Sequence, residues 1–121
     1  MSIVPTIIIS QVVHGQAKAE YDGESLDWAT AAYKGDGYYG YTDGLHTFSY
    51  KLTNFEGQFN IQASLATNPT EDDWFGATEY VGNESEPFNG SGFMNVTGNF
   101  VWLRINITNF TAGTIDRVLY N

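Results

Sequence analysis

The sequence predicts an all-β fold, a two-layer antiparallel β-sandwich of jelly-roll type, and three observations carry that prediction. The first is alternation. Over residues 45–52 the large side chains Phe48, Tyr50 and Leu52 share one parity, and over residues 58–65 Phe59, Ile61, Ala63 and Leu65 do the same, which is the period of a half-buried strand. The second is composition: 13 Gly and 16 % aromatic residues suit strands joined by many turns, and the Ala, Leu, Lys and Glu of a helical protein are scarce. The third is spacing, since about eight strand-like runs separated by turn clusters are what a two-layer sandwich uses.

The elements follow in order. Ile3-Val4-Pro5-Thr6-Ile7-Ile8-Ile9 is apolar but interrupted by Pro5 and not preceded by a basic residue. It is too short and wrongly flanked for a signal peptide or a membrane span. It reads as an extended segment, an edge strand or an arm that docks on a neighbour through Ile3, Val4, Ile7, Ile8 and Ile9. Residues 1–14 are therefore expected to form an N-terminal arm or edge strand, and residues 15–121 a single sandwich domain. Gln11-Val12-Val13-His14 continues as strand, residues 15–25 are small and polar, and Trp28 restarts apolar character.

Lys34 to Gly44 is the most unusual loop, with four glycines interleaved among three tyrosines and two aspartates. Tyr38, Tyr39 and Tyr41, with Asp36 and Asp43, form a candidate recognition surface, because tyrosine offers amphipathic contact area at low entropic cost. The alternative is that these rings fold over the end of the sandwich and close its core.

The two alternating runs flank Thr53-Asn54-Phe55-Glu56-Gly57, a polar connection that predicts a hairpin. Pro69 stops the second run, and Thr70 with Asp73 predicts a reciprocal cap over one helical turn, which Trp74 and Phe75 would pin to the core. Further strand character is expected over residues 77–81 and 92–96, either side of an acidic loop. Over residues 100–107, Val101, Leu103, Ile105 and Ile107 define an inner face, with Phe100, Trp102, Arg104 and Asn106 on the other. Thr108-Asn109-Phe110 then repeats the Thr53-Asn54-Phe55 corner. Both predict the same kind of hairpin turn, with Asn bonding its own backbone, and a last strand over residues 114–120.

Five basic against 14 acidic residues give a formal charge of −9, which repels a phosphate backbone and removes nucleic acid from the expected partners. No cysteine is present, so packing alone must hold the fold. An enzyme is not expected: the imidazoles are His14 and His46, neither in a recognisable signature, and His46 has the parity of a buried, hydrogen-bonded strand residue. Asp36 with Asp43, and Glu71-Asp72-Asp73, lack an ordered ligand spacing and read as solvated turn carboxylates, so neither metal nor cofactor is expected. Asn-x-Ser/Thr triplets at Asn83, Asn89, Asn95, Asn106 and Asn109 are what an Asn- and Thr-rich chain generates by chance.

Asp43-Gly44-Leu45-His46-Thr47, Leu52-Thr53-Asn54-Phe55, residues 61–67, Asp73-Trp74-Phe75, residues 98–104 and residues 111–119 together resemble a small domain of virion structural proteins of tailed bacteriophages, notably marine and cyanobacterial ones. The similarity covers residues 40–119. It implies a non-enzymatic virion component with no catalytic residues, located in a particle assembled in the host cytoplasm. Its implied partners are the major capsid protein or other virion proteins and further copies of itself, not a membrane. An apolar arm suits a capsid decoration (cement) protein that adds a strand to a sheet on the shell. The alternative is a carbohydrate-binding module of a tail or head fibre, whose tyrosine loop meets a host surface glycan.

Overall fold

In the computed structural model, which describes residues 6–40, 44–82 and 86–120, the chain is all-β apart from two single helical turns. The strands are β1 (Thr6–Ile9), β2 (Val12–Val13), β3 (Trp28–Ala29), β4 (Tyr33–Lys34), β5 (Leu45–Ser64), β6 (Phe75–Gly76), β7 (Phe88–Thr97) and β8 (Trp102–Tyr120). The turns are α1 (Asp36–Tyr39) and a 3-10 turn over Glu71–Asp73. All eight strands belong to one open antiparallel sheet. The all-β class is as expected, but the hydrogen bonds form one sheet where the sequence suggested two, and their order does not define a jelly roll.

The reason lies in β5 and β8, of 20 and 19 residues, which pair with each other along nearly their whole length. The expected hairpin at residues 53–57 is absent: residues 45–52 and 58–64 are one strand, and both pair with β8 instead of with each other. What looked like a reversal is a bulge. The register shifts between Thr53 and Glu56 and again between Glu56 and Gln58, so Asn54 and Phe55 bulge on β5 and residues 109–111 bulge on β8. Asn54 (φ 50°) and Asn109 (φ 53°) both adopt the left-handed conformation that Asn tolerates best after Gly. The repeated Thr-Asn-Phe words are thus the same kind of element, as expected, but that element bends a strand.

The two bulges face each other with a local two-fold relation. A Cβ on Gly57 would lie 2.9 Å from the Asn109 carbonyl oxygen, and one on Gly113 would collide with the Asn54 carbonyl oxygen. Each Asn bulge is therefore accommodated by a glycine across the ladder. Phe55 and Phe110, one from each bulge, are fully buried with ring centroids 5.6 Å apart.

These bends double the sheet over on itself. Thr97 lies opposite Leu45 at the start of β5, Trp102 lies opposite Ser64 at its end, and only residues 98–101 join them. Five Cα steps reach at most about 18 Å, so the ends of β5 are no more than about 30 Å apart, whereas a straight strand of that length would span about 65 Å. Tyr50 and Phe59, nine positions apart, touch edge to face at 5.3 Å. The Tyr120 hydroxyl, at the end of β8, donates to the Lys34 carbonyl beside its start at 3.0 Å. The two layers are the two halves of one sheet. The first half carries β7, the start of β5, the end of β8, β1 and β2; the second carries β6, the end of β5, the start of β8, β3 and β4.

The core lies between the halves. Phe48, Phe59, Ile61, Leu103 and Ile105 are buried as their parity requires, and Tyr50 is half-buried. Leu65 departs from the pattern at 64 % exposure, because β5 stops at Ser64. Tyr21, in a stretch the sequence reads as polar loop, is buried against Trp28 and Phe110, and its hydroxyl accepts the Gly15 amide at 3.0 Å.

Candidate functional site

The N-terminal segment is an edge strand of the chain's own sheet, with Thr6 opposite Tyr120 and Ile7 opposite Leu119. A register shift at Ile8 brings Ile9 opposite Val118, so Ile9 enters the core while Ile7 faces outward at 56 % exposure. Of the candidate arm, Ile7, Ile8 and Ile9 are thus placed in the fold, and Ile3 and Val4 lie outside the described residues.

Ile7 heads a row that crosses the outer face of the first half: Ile7, Leu119, Ser49 and Phe93 lie directly opposite one another on four adjacent strands. Phe93 is 68 % exposed, and Leu45, on the same face of β5, 58 %. The next row holds Arg117, Lys51 and Ser91. Lys51 and Arg117 are both exposed and make no ion pair among the described residues. β7 itself, Phe-Asn-Gly-Ser-Gly-Phe-Met-Asn-Val-Thr, pairs among the described residues only with β5 and contains no charged residue and no proline, the devices that usually protect a sheet edge.

The outer face of the second half is covered differently. The Asp73 carboxylate accepts the Thr70 amide at 2.7 Å, closing the expected turn. Trp74 and Phe75 leave the core alone: the Arg104 guanidinium lies 4.3 Å from the Trp74 ring centroid, and Phe75 is exposed against Phe100. Arg104 also donates to Gln62 at 2.7 Å and pairs with Glu71 at 3.2 Å, and these bonds hold the Glu71 carboxyl below its ordinary range. The acidic triplet is thus occupied by a cap and an ion pair, and among the described residues no group of three or more His, Asp or Glu is placed to hold a metal.

The glycine-tyrosine loop becomes α1, capped by hydrogen bonds from Tyr38 N to Gly35 O and from Gly40 N to Gly37 O. Tyr38 does not plug the core. It is 44 % exposed, with its ring edge-on to Trp102 at 5.3 Å and the Lys34 ammonium 4.4 Å from its centroid. Asp36 and Tyr39 share this turn by their backbone, while Tyr41 and Asp43 lie outside the described residues.

Beside α1, where the two ends of the doubled sheet meet, Thr6, Ala32, Tyr33, Lys34, Trp102 and Tyr120 line a groove of about 300 Å³. Burial, with Glu20 nearby, pushes the Tyr33 hydroxyl above its usual pKa. A second cleft, against Trp28 and Ile9, holds about 60 Å³, room for a water or two. Sequence reasoning found Tyr38 but not the groove, because Tyr33, Trp102 and Tyr120 meet only through the doubling of β8. Among the triplet asparagines, Asn89 bonds Asn54, Asn95 accepts from Thr47 and Asn106 donates to Asn60, so these side chains serve the sheet. Asn54 therefore bonds across to β7, where the sequence suggested a bond to its own backbone. The chain matches no protein-family model, no curated protein and no solved structure.

Proposed function

We propose that this protein is a non-enzymatic structural component of a tailed-phage-type virion, a decoration protein that seats on the shell through the outer face of its first sheet half. The row of exposed Ile7 and Phe93 with half-buried Leu119 between them, flanked by exposed Leu45, carries this reading. A sheet face left to water is ordinarily polar, and large apolar side chains on three of the four strands of one row, with Leu45 nearby on the fourth, are a contact surface waiting for a partner. Lys51 and Arg117 set its polarity: they place two of the chain's five cations together on this face of a molecule of charge −9. The partner is therefore a shell protein offering an apolar patch bordered by carboxylates, and the acidic remainder keeps unassembled copies apart. Many copies on a lattice tolerate a modest single contact. The resemblance of residues 40–119 to phage virion domains supplies the setting. This moves attachment from a free arm to a sheet face that includes Ile7.

Purified protein added to shells of the encoding phage's major capsid protein is expected to bind saturably in sedimentation. Phe93→Asp and Ile7→Asp should abolish binding while thermal melting is preserved. Charge reversal at Lys51 and Arg117 should weaken it in a salt-dependent manner. Wild-type protein that ignores the shells, or Phe93→Asp binding as wild type, would overturn the assignment.

A further inference from the structure

We infer that the groove at the seam of the doubled sheet binds a hexopyranose unit of an oligosaccharide. A pyranose ring has apolar C–H faces and a rim of hydroxyls, so it is recognised by aromatic side chains set beside a few polar groups. The groove is lined by that combination of residue types: the aromatic Tyr33, Trp102 and Tyr120 with the polar Lys34 and Thr6, the Lys34 ammonium lying over the neighbouring Tyr38 ring. Its volume of about 300 Å³ is at the lower bound of small-ligand sites. The base of a nucleotide also stacks on aromatic rings, but the nucleotide's phosphate is repelled by a charge of −9.

The walls are fixed from outside the groove, which is what makes it a site. Trp102 Nε1 donates to the Thr67 carbonyl at 2.9 Å, and the indole is abutted by Tyr38. Tyr120 stacks on Phe48 at 4.8 Å and 14°, and its hydroxyl donates to the Lys34 carbonyl at 3.0 Å. Side chains already held in one rotamer lose little entropy on binding. The groove also joins the two ends of β8, so its shape depends on the completed fold and on no single loop. The inference does not rest on shell attachment, whose residues lie on a different face.

The test is titration of the full chain with hexasaccharides of glucose, galactose, N-acetylglucosamine and glucuronic acid, read by tryptophan fluorescence and saturation-transfer NMR. At least one should bind, and Tyr33→Ala and Trp102→Ala should each weaken it by about tenfold. Melting and shell binding should stay as in wild type. Should Trp102→Ala fail to fold, Lys34→Ala at an exposed position takes its place, and selective loss of the glucuronate oligomer in that variant identifies an acidic glycan. Absence of binding by all four at about 10 mM, or binding unchanged in the Tyr33→Ala/Lys34→Ala double variant, would overturn the proposal. Loss of shell binding in Phe93→Asp with sugar binding intact separates the two functions.

Discussion

At the scale of single residues, the fold depends on a few backbone positions where only one or two side chains fit. Gly113 (φ 92°) sits beneath the Asn54 carbonyl, so Gly113→Ala combines a strained conformation with a backbone collision. It should cost about 2–4 kcal/mol, read as a fall in the urea midpoint at constant m. Asn54→Gly keeps the left-handed conformation and its backbone bond to Asn89 and loses only the bond that the Asn54 side-chain oxygen accepts from Asn89, so it should cost about 1 kcal/mol, and Asn54→Val considerably more. Asp22 gives a pH signature. Its carboxylate accepts the Ser25 hydroxyl and the Ser25 and Glu24 amides, which lowers its pKa from 3.8 to about 2. A pKa lowered by folding means stability present above the unfolded value and lost as pH falls through the folded one. Carboxyl NMR should place the Asp22 midpoint near 2, and Ser25→Ala should move it up towards 3.8.

At the scale of elements, β5 and β8 with their paired bulges are the structural unit, and the short strands are additions to it. Phe55 and Phe110 fill the fold line at full burial, so truncation of either to Ala should destabilise by about 3–5 kcal/mol. β1 is a different matter. Removal of residues 1–10 takes Ile9, only 4 % exposed, out of the core and strips an edge from β8. Such a truncation should melt markedly lower than the full chain, so loss of particle binding in it would not identify an arm. Ile7→Asp, at an exposed position of the same strand, should leave melting unchanged and is the cleaner variant. The apolar parity of Leu103, Ile105 and Ile107 and of Phe59, Ile61 and Ala63 was legible, because parity within a strand is a local property, whereas Val101 lies before β8 and is half-buried, and Asn60 is buried on the parity expected to face out. Whether Thr53-Asn54-Phe55-Glu56-Gly57 reverses the chain or bends it was not: Asn and Gly serve bulges and turns alike, since both need positive φ.

At the scale of the whole molecule, doubling one sheet makes both layers share the same two strands. The two halves share one central ladder, since β5 and β8 run through both. Heat or urea should therefore give a single transition, with near-ultraviolet and far-ultraviolet dichroism coincident. Two separated transitions would mean that the halves are independent domains. Doubling also creates both candidate surfaces. It turns the row from Ile7 to Phe93 outward, away from the shared interior, and it brings Tyr120 to Lys34 and Trp102, which lie 18 positions apart along β8 in the case of the two ring-bearing residues.

The sequence by itself determined that this chain forms strands, which residues of β5 and β8 face inward, and that Thr70 and Asp73 close a turn, because period, parity and capping act over a few neighbouring residues. The tertiary structure decided the rest: that the Asn corners bend two strands and do not reverse them, that Tyr21 is core, and that Ile8 rotates the first strand so that Ile7 is left outside. Those outcomes turn on which strand supplies the hydrogen-bonding partner. Partner choice is a contest among residues far apart in the chain, settled by burying Phe55, Phe110 and their neighbours together.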